Sequence, residues 1–203
     1  MKLYYKPGAC SLASHIVLTE LGLAHEIEAV DTKAGKTETG DNYRAINPKG
    51  YVPTLRLDNS DLLTEGPAIL QFLADSAPRA GLIPATGTIE RARVLEMLTF
   101  VSSELHKAFG PLFRDDAGDG EKQAARDAVA GKFDHVESQL SDAGAALSGG
   151  PFTIADAYLF VVANWAKVTG IDLSRWPRLD AFVAGTAERP AVVAAMRAEG
   201  LIR

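Results

Sequence analysis

The apolar positions change period partway along the chain. "KLYY" (2–5) has the composition of a short strand and is ended by Pro7 and Gly8. From Ser11 onward, Ala13, Ile16, Val17 and Leu21 recur at three- and four-residue intervals, and Gly22 follows as a stop. That spacing predicts a helix. "HEIEAVD" (25–31) alternates as a second strand, and a polar loop rich in Lys, Thr and Gly comes next. "NPKGYVPTLRLDNSDLLTEGPAIL" (47–70) reads as two short strands around a turn at Asp58–Asp61, then a helix from about Glu65. The order is β-α-β, a connection, and β-β-α. A right-handed crossover joins the first two strands, and a hairpin ends the sheet.

Beyond this point the period is helical. "PRAGLIPATGT" (78–88) has linker composition, which predicts a first domain over 1–77 and an all-helical one over 89–203. Between Glu90 and Phe113, Val94, Leu98, Val101, Leu105, Ala108 and Leu112 form one apolar stripe. Ala125, Val129, Val136, Leu140, Ala143 and Leu147 form another. In "GGPFTIADAYLFVVANWAKV", Thr153 and Asp156 have capping-box spacing, and the helix they open is apolar nearly all round. It is expected at the centre of a bundle. Trp176-Pro177 and Arg189-Pro190 punctuate two shorter helices.

Composition narrows the function classes. At 203 residues, with 47% hydrophobic and 23% charged residues, the chain has the balance of an ordinary folded protein. A net charge of −5 without a dense Lys/Arg cluster argues against a nucleic-acid partner. The single cysteine excludes an intrachain disulfide and suits a reducing compartment, so a cytoplasmic location is expected. No signal-peptide layout opens the chain, and the apolar run 154–163 is too short to span a bilayer. His15, His25, His106 and His135 lack metal-ligand spacing, so no metal is expected.

Four features carry possible chemistry. Cys10 sits where the first helix begins, and the positive end of a helix stabilises a thiolate; the other reading is a small, inert core filler. Tyr4 or Tyr5 offers a hydroxyl nearby, although strand aromatics usually pack. In "GYVP", a cis bond before Pro53 would turn the main-chain groups of Val52 outward for a bound peptide, whereas most X-Pro bonds are trans. In "TEGPAI", Glu65 and Gly66 open a helix whose N–H groups receive a carboxylate, and an acidic first turn is also routine. Thr99, Ser103, His106, Gly110 and Phe113 make a semi-polar stripe, expected to line a cleft or a subunit boundary.

Together these features resemble the glutathione S-transferases, and "YKPGACSLASHI", "NPKGYVPTL", "LLTEGPAI", "SSELHKAFGPLF", "FTIADAYLF" and "AERP" then "AEGLI" resemble the bacterial beta class. The resemblance runs from Met1 to Ile202. It implies an α+β thioredoxin-like domain followed by an all-α bundle, a homodimer, and glutathione as cosubstrate. It implies that Pro53 is cis, that Val52 pairs with the cysteinyl part of glutathione, and that Glu65 and Gly66 hold the γ-glutamyl end. By the same resemblance Cys10 stands near the glutathione sulfur, His106 reaches the site from the second domain, and Ser103 and Glu104 bind across the dimer; Tyr5, next to the Cys10 loop, is counted among the glutathione-binding candidates. Three positions depart from the family. Gly35 stands where a glutathione-binding lysine is expected, leaving Lys36 or Lys33 as substitutes; Thr99 replaces an asparagine; Gly66 leaves only backbone donors where some relatives carry serine. Phe109, Phe113 and Trp165 are expected to wall the pocket for a hydrophobic electrophile. Three activities compete: conjugation of glutathione, thiol exchange or reductive dehalogenation through a Cys10 mixed disulfide, and binding without turnover.

Overall fold

The computed structural model describes residues 1–140, 146–147 and 150–203. In chain order the elements are β1 (Lys2–Tyr5), α1 (Ser11–Glu20), β2 (Glu26–Asp31), β3 (Lys36–Thr37), α2 (Tyr43–Ile46), β4 (Thr54–Arg56), β5 (Leu62–Thr64) and α3 (Gly66–Ser76). Next come α4 (Ile89–Phe100), a π-helical turn (Val101–Leu105), α5 (His106–Ala108), α6 (Asp119–Gln139), α7 (Ile154–Asn164), α8 (Ala166–Thr169), α9 (Pro177–Ala187) and α10 (Pro190–Ala198). Contacts divide the chain into one unit of Met1–Ile83 with Arg189–Arg203, and a second of Pro84–Glu188.

The first unit is an α+β fold around a five-stranded sheet of order β3-β2-β1-β4-β5. β1 and β2 are parallel, as the crossover rule requires, and the other pairings are antiparallel. The loop between β2 and β4 contains more than its polar composition suggested. It holds the two-residue edge strand β3 and the one-turn helix α2, whose cap Asn42 accepts from the Arg44 N–H. Elements this short leave no periodicity to read.

Helix α1 is buried at every position from Ser11 to Leu18, not along one stripe. The sheet, α3 and α10 all pack on it. α10 thus belongs with the first unit although it ends the chain. Arg189 pairs with Glu20, while the buried Glu199 accepts from the Gly8 N–H at 3.0 Å and meets His15 Nδ1 at 3.0 Å. A division made in chain order, with everything after residue 88 in one helical domain, does not anticipate this return.

The second unit is all-helical, with α7 at its centre. Every residue from Ile154 to Ala163 is buried. The capping box forms, and the Asp156 carboxylate accepts from Thr153 N at 2.8 Å, Thr153 Oγ1 at 2.6 Å and Leu147 N at 2.7 Å. Two expectations are corrected. The continuous helix expected from Glu90 to Phe113 is interrupted by the π-helical turn and closes in a 3-10 turn over Gly110–Phe113, where Pro111 removes a donor. The wider turn rotates the residues beyond it, and Phe109 rather than Ala108 takes the fully buried position. The second stripe also ends early. α6 stops at Gln139, and Leu140 and Leu147 meet as an isolated antiparallel bridge, so Leu147 is not on that helix. Ala143 lies outside the described residues. Phe133, which the stripe omitted, is fully buried on α6. Among the described residues no helix is long and apolar enough to cross a membrane.

Candidate active site

Sheet register brings four segments to one end of the first unit. β1 ends at Tyr5 opposite Ala29 of β2, and Tyr4 opposes Thr54, which opposes Thr64. The row across this end is therefore the β2–β3 turn (31–36), the loop 6–10, Val52–Pro53, and Thr64–Gly66.

Cys10 is the cap residue of α1 and is partly exposed. Its Sγ lies 3.4 Å from the Val52 carbonyl oxygen, within reach of a thiol hydrogen bond. The loop before it is tightly held. Gly8 adopts φ +68° and donates to Glu199, and Ser11 Oγ accepts from Lys6 N and donates to Lys6 O. Only glycine takes that φ without strain. A Cβ on it would also lie 3.3 Å from Leu201 Cδ2.

The Val52–Pro53 bond is cis, as the resemblance implied. The segment before it is fixed by side chains that the sequence did not single out. Tyr43 Oη and Asn47 Nδ2 both donate to the Tyr51 carbonyl, at 2.7 and 2.8 Å, and both contact Thr54 Oγ1. Two donors on one carbonyl anchor the residue preceding Val52. Burial raises the Tyr43 phenol above its ordinary range, against the hydrogen bonds from Thr54 and Asn47, so it remains a donor.

Glu65 caps α3 in an unusual conformation, φ +70° and ψ 114°. A non-glycine residue there is strained, by about 1–3 kcal/mol, and such residues cluster at ligand sites. Its carboxylate is exposed and pairs with Lys49 Nζ at 2.6 Å, which also donates to Thr64 Oγ1. Gly66 and Pro67 follow as the first helical residues. Tyr5 is buried, with its ring 6.3 Å from that of His15, and burial raises its phenol. Lys36 is exposed on β3, and Lys33 lies in the turn, where its N–H caps Asp31.

The remaining candidates belong to the second unit. His106 follows the π-helical turn, a feature that often marks functional positions. Its Nδ1 lies 2.8 Å from Tyr158 Oη, and its ring meets Trp165 edge-on at 4.8 Å. Burial first, and then the Lys107 charge, lower its pKa from 6.5 to about 4, so at neutral pH the imidazole is uncharged. Trp165 and Phe113 meet at 5.3 Å, with half of Phe113 exposed. Phe109 is fully buried between Phe133, Phe113 and Trp165, so it backs this aromatic surface rather than facing a ligand. Thr99 and Ser103 are exposed and joined through the Thr99 carbonyl, and Glu104 pairs with Lys132 at 2.8 Å. Tyr158 was legible only as part of a motif, not as a partner of His106. Among the described residues no three His, Cys, Asp or Glu side chains converge as metal ligands do.

Two family profiles match the chain: "Glutathione S-transferase, N-terminal domain" over residues 8–76, and "Glutathione S-transferase, C-terminal domain" over residues 119–185. Glutathione S-transferase GstA of Escherichia coli O157:H7 is 47% identical over 99% of this chain and 100% of its own. The chain belongs to the glutathione S-transferase family. Among solved glutathione S-transferases, the bacterial beta class protein of Sphingomonas chungbukensis is similar at 46% identity and a TM-score of 0.95, covering all of both chains. A sphingomonad glutathione S-transferase complexed with glutathione is 44% identical with a TM-score of 0.94, again over all of both chains. Glutathione is the cosubstrate of this family, and the row at the sheet end holds a strand edge at Val52, a carboxylate at Glu65, and helix N-termini at Cys10 and Gly66.

Proposed function

We propose that this glutathione S-transferase conjugates the thiol of glutathione to hydrophobic electrophiles, with Cys10 beside the reacting sulfur. The observation that carries the reading is the 3.4 Å approach of Cys10 Sγ to the Val52 carbonyl, which joins the α1 N-terminus to the strand edge before cis-Pro53. On this reading the cysteinyl main chain of glutathione pairs with Val52, and its ammonium takes the place of the Lys49 ammonium on Glu65. Its γ-glutamyl carboxylate meets the N–H groups at Gly66. The sulfur then lies at the positive end of α1. An ordinary thiol of pKa about 8.5 is only a few per cent ionised at pH 7. Each unit of lowering corresponds to about 1.4 kcal/mol, which a helix terminus and one or two hydrogen bonds supply. The thiolate attacks the electrophilic carbon, forming the C–S bond as the leaving group departs with the bonding pair.

We assign the apolar part of the electrophile to the exposed face of Phe113, backed by the buried Trp165, with the neutral imidazole of His106 as a hydrogen-bonding group. In a homodimer, Ser103 and Glu104 would contribute across the subunit boundary.

Partial exposure of Cys10 also favours a second route. Its thiolate attacks glutathione disulfide, releases one glutathione and keeps the other as a mixed disulfide. A further glutathione thiolate resolves that disulfide, because the chain has no second cysteine. Turnover of an aromatic halide, with mass spectrometry under oxidising conditions, tests both routes on wild type and Cys10→Ala. Conjugation predicts aryl transfer and a higher glutathione thiol pKa in the variant. The exchange route predicts an adduct of one glutathione, lost on reduction and missing from Cys10→Ala. Saturable binding of hydrophobic dyes without turnover of any electrophile would refute both.

A further inference from the structure

We propose that Arg44 is the seat for the glycyl carboxylate of glutathione. The inference rests on the proposed docking of glutathione and concerns the end of the tripeptide that Val52, Glu65 and Gly66 leave unassigned.

Arg44 is the second residue of α2 and is exposed, yet its side chain lies along two buried glycines. A Cβ on Gly50 would come within 3.1 Å of Arg44 Nη1, 3.2 Å of Cζ and 3.4 Å of Nη2. A Cβ on Gly35 would lie 3.6 Å from Nε and 3.8 Å from Cγ. The guanidinium therefore rests on the backbone of Gly50, and the stem rests on Gly35. Both glycines sit at positive φ, +71° and +68°, in turns closed by Gly50 N to Asn47 O and Gly35 N to Asp31 O. The missing side chains leave room for this arginine, and a larger residue at position 50 would displace it.

The charge held there is unspent. Among the described residues the Arg44 guanidinium makes no hydrogen bond and no ion pair, whereas Arg93, Arg114 and Arg189 each meet carboxylates. Lys49 Nζ lies at the opposite end of the row, against Glu65 and Thr64. Lys33 and Lys36 are exposed.

Position supplies the direction. Along the row at the sheet end, Glu65 follows β5, Val52 precedes β4, Cys10 follows β1, and Gly35 lies in the turn after β2. Neighbouring strands are about 4.8 Å apart, so this row spans about 14 Å. A tripeptide held at Glu65 and Val52 extends by about 3.5 Å per residue toward the β2 side. There the exposed guanidinium beside Gly50, two residues before Val52, meets its far end. A planar guanidinium binds a carboxylate through two parallel hydrogen bonds and stays charged at any working pH.

Titration calorimetry on wild type, Arg44→Gln, Arg44→Lys and Lys36→Gln tests this, with glutathione and its glycine-amide analogue as ligands. The amide keeps the length and removes the charge. Wild type is expected to bind glutathione about tenfold more tightly than the amide. Arg44→Gln should bind both equally, Arg44→Lys should restore part of the ratio, and Lys36→Gln should retain it. A non-specific structural effect would weaken both ligands alike and leave the ratio unchanged. Equal binding of the two ligands by wild type, a full ratio in Arg44→Gln, or loss of the ratio in Lys36→Gln overturns the assignment while leaving the docking intact. Absence of any glutathione binding by wild type overturns the docking itself, and the assignment with it.

Discussion

His106 provides a quantitative test of how the second unit treats its aromatic site. Its pKa falls from 6.5 to about 4 because the ring is buried against Trp165 and Tyr158 and lies near the Lys107 ammonium. A depression of that size corresponds to about 3 kcal/mol between the two protonation states. Linkage fixes the sign. Between pH 6.5 and 4 the unfolded chain binds a proton at this position and the folded chain does not. Stability therefore drops by about 1.4 kcal/mol per pH unit as pH falls through that window, and the drop levels off below pH 4. The contribution is fully present above pH 6.5. Replacing His106 with Gln removes this dependence and leaves every other titrating group in both proteins. Urea denaturation at pH 7 and pH 5 should show wild type losing about 2 kcal/mol more than His106→Gln. A carbon-detected NMR titration of the His106 ring should have its midpoint near pH 4, well below an exposed histidine, and kcat/KM should show no inflection near pH 6.5 from this residue. A midpoint near 6.5, with equal losses in the two proteins, would refute the argument and make the imidazole an exposed acid–base group.

Asp156→Ala strands the buried N–H group of Thr153 and the half-buried one of Leu147 and should lower stability by about 2–4 kcal/mol, or roughly 5–15 °C in Tm; calorimetric melting within 2 °C of wild type would contradict that role. Glu65→Gly relieves a positive φ and loses an exposed ion pair of little value, so stability should hold or rise by about 1 kcal/mol. Glutathione affinity should nevertheless fall at least about tenfold, and a variant that melts lower yet binds normally would count against both the strain and the ammonium-holding role.

Much of this protein was written in local pattern. The spacing of Ala13, Ile16 and Val17, the alternation of 25–31, the hairpin around Asp58–Asp61 and the Thr153–Asp156 box each depend on neighbours a few residues apart, and each formed as its element. Cys10 at a helix start and Glu65 before another were legible for the same reason. What local pattern could not reveal depends on residues distant in sequence. Arg189 and Glu199 return α10 to the first unit through partners at Glu20, Gly8 and His15, over 160 residues away. Phe109 rather than Ala108 became core because a π-helical turn alters the periodicity that the stripe assumed. Lys36 and Lys33 are stand-ins for a missing lysine by adjacency in the chain, whereas Arg44 lies against Gly35 only after α2 folds over the turn.

The sequence by itself determined which segments become strands and helices and which family they compose, because hydrophobic period and capping chemistry act over one or two turns. Tertiary structure alone decided which charges are consumed and which are left available, since Lys49 on Glu65 and Arg44 on two glycines are meetings between separate loops that sheet register brings to one edge.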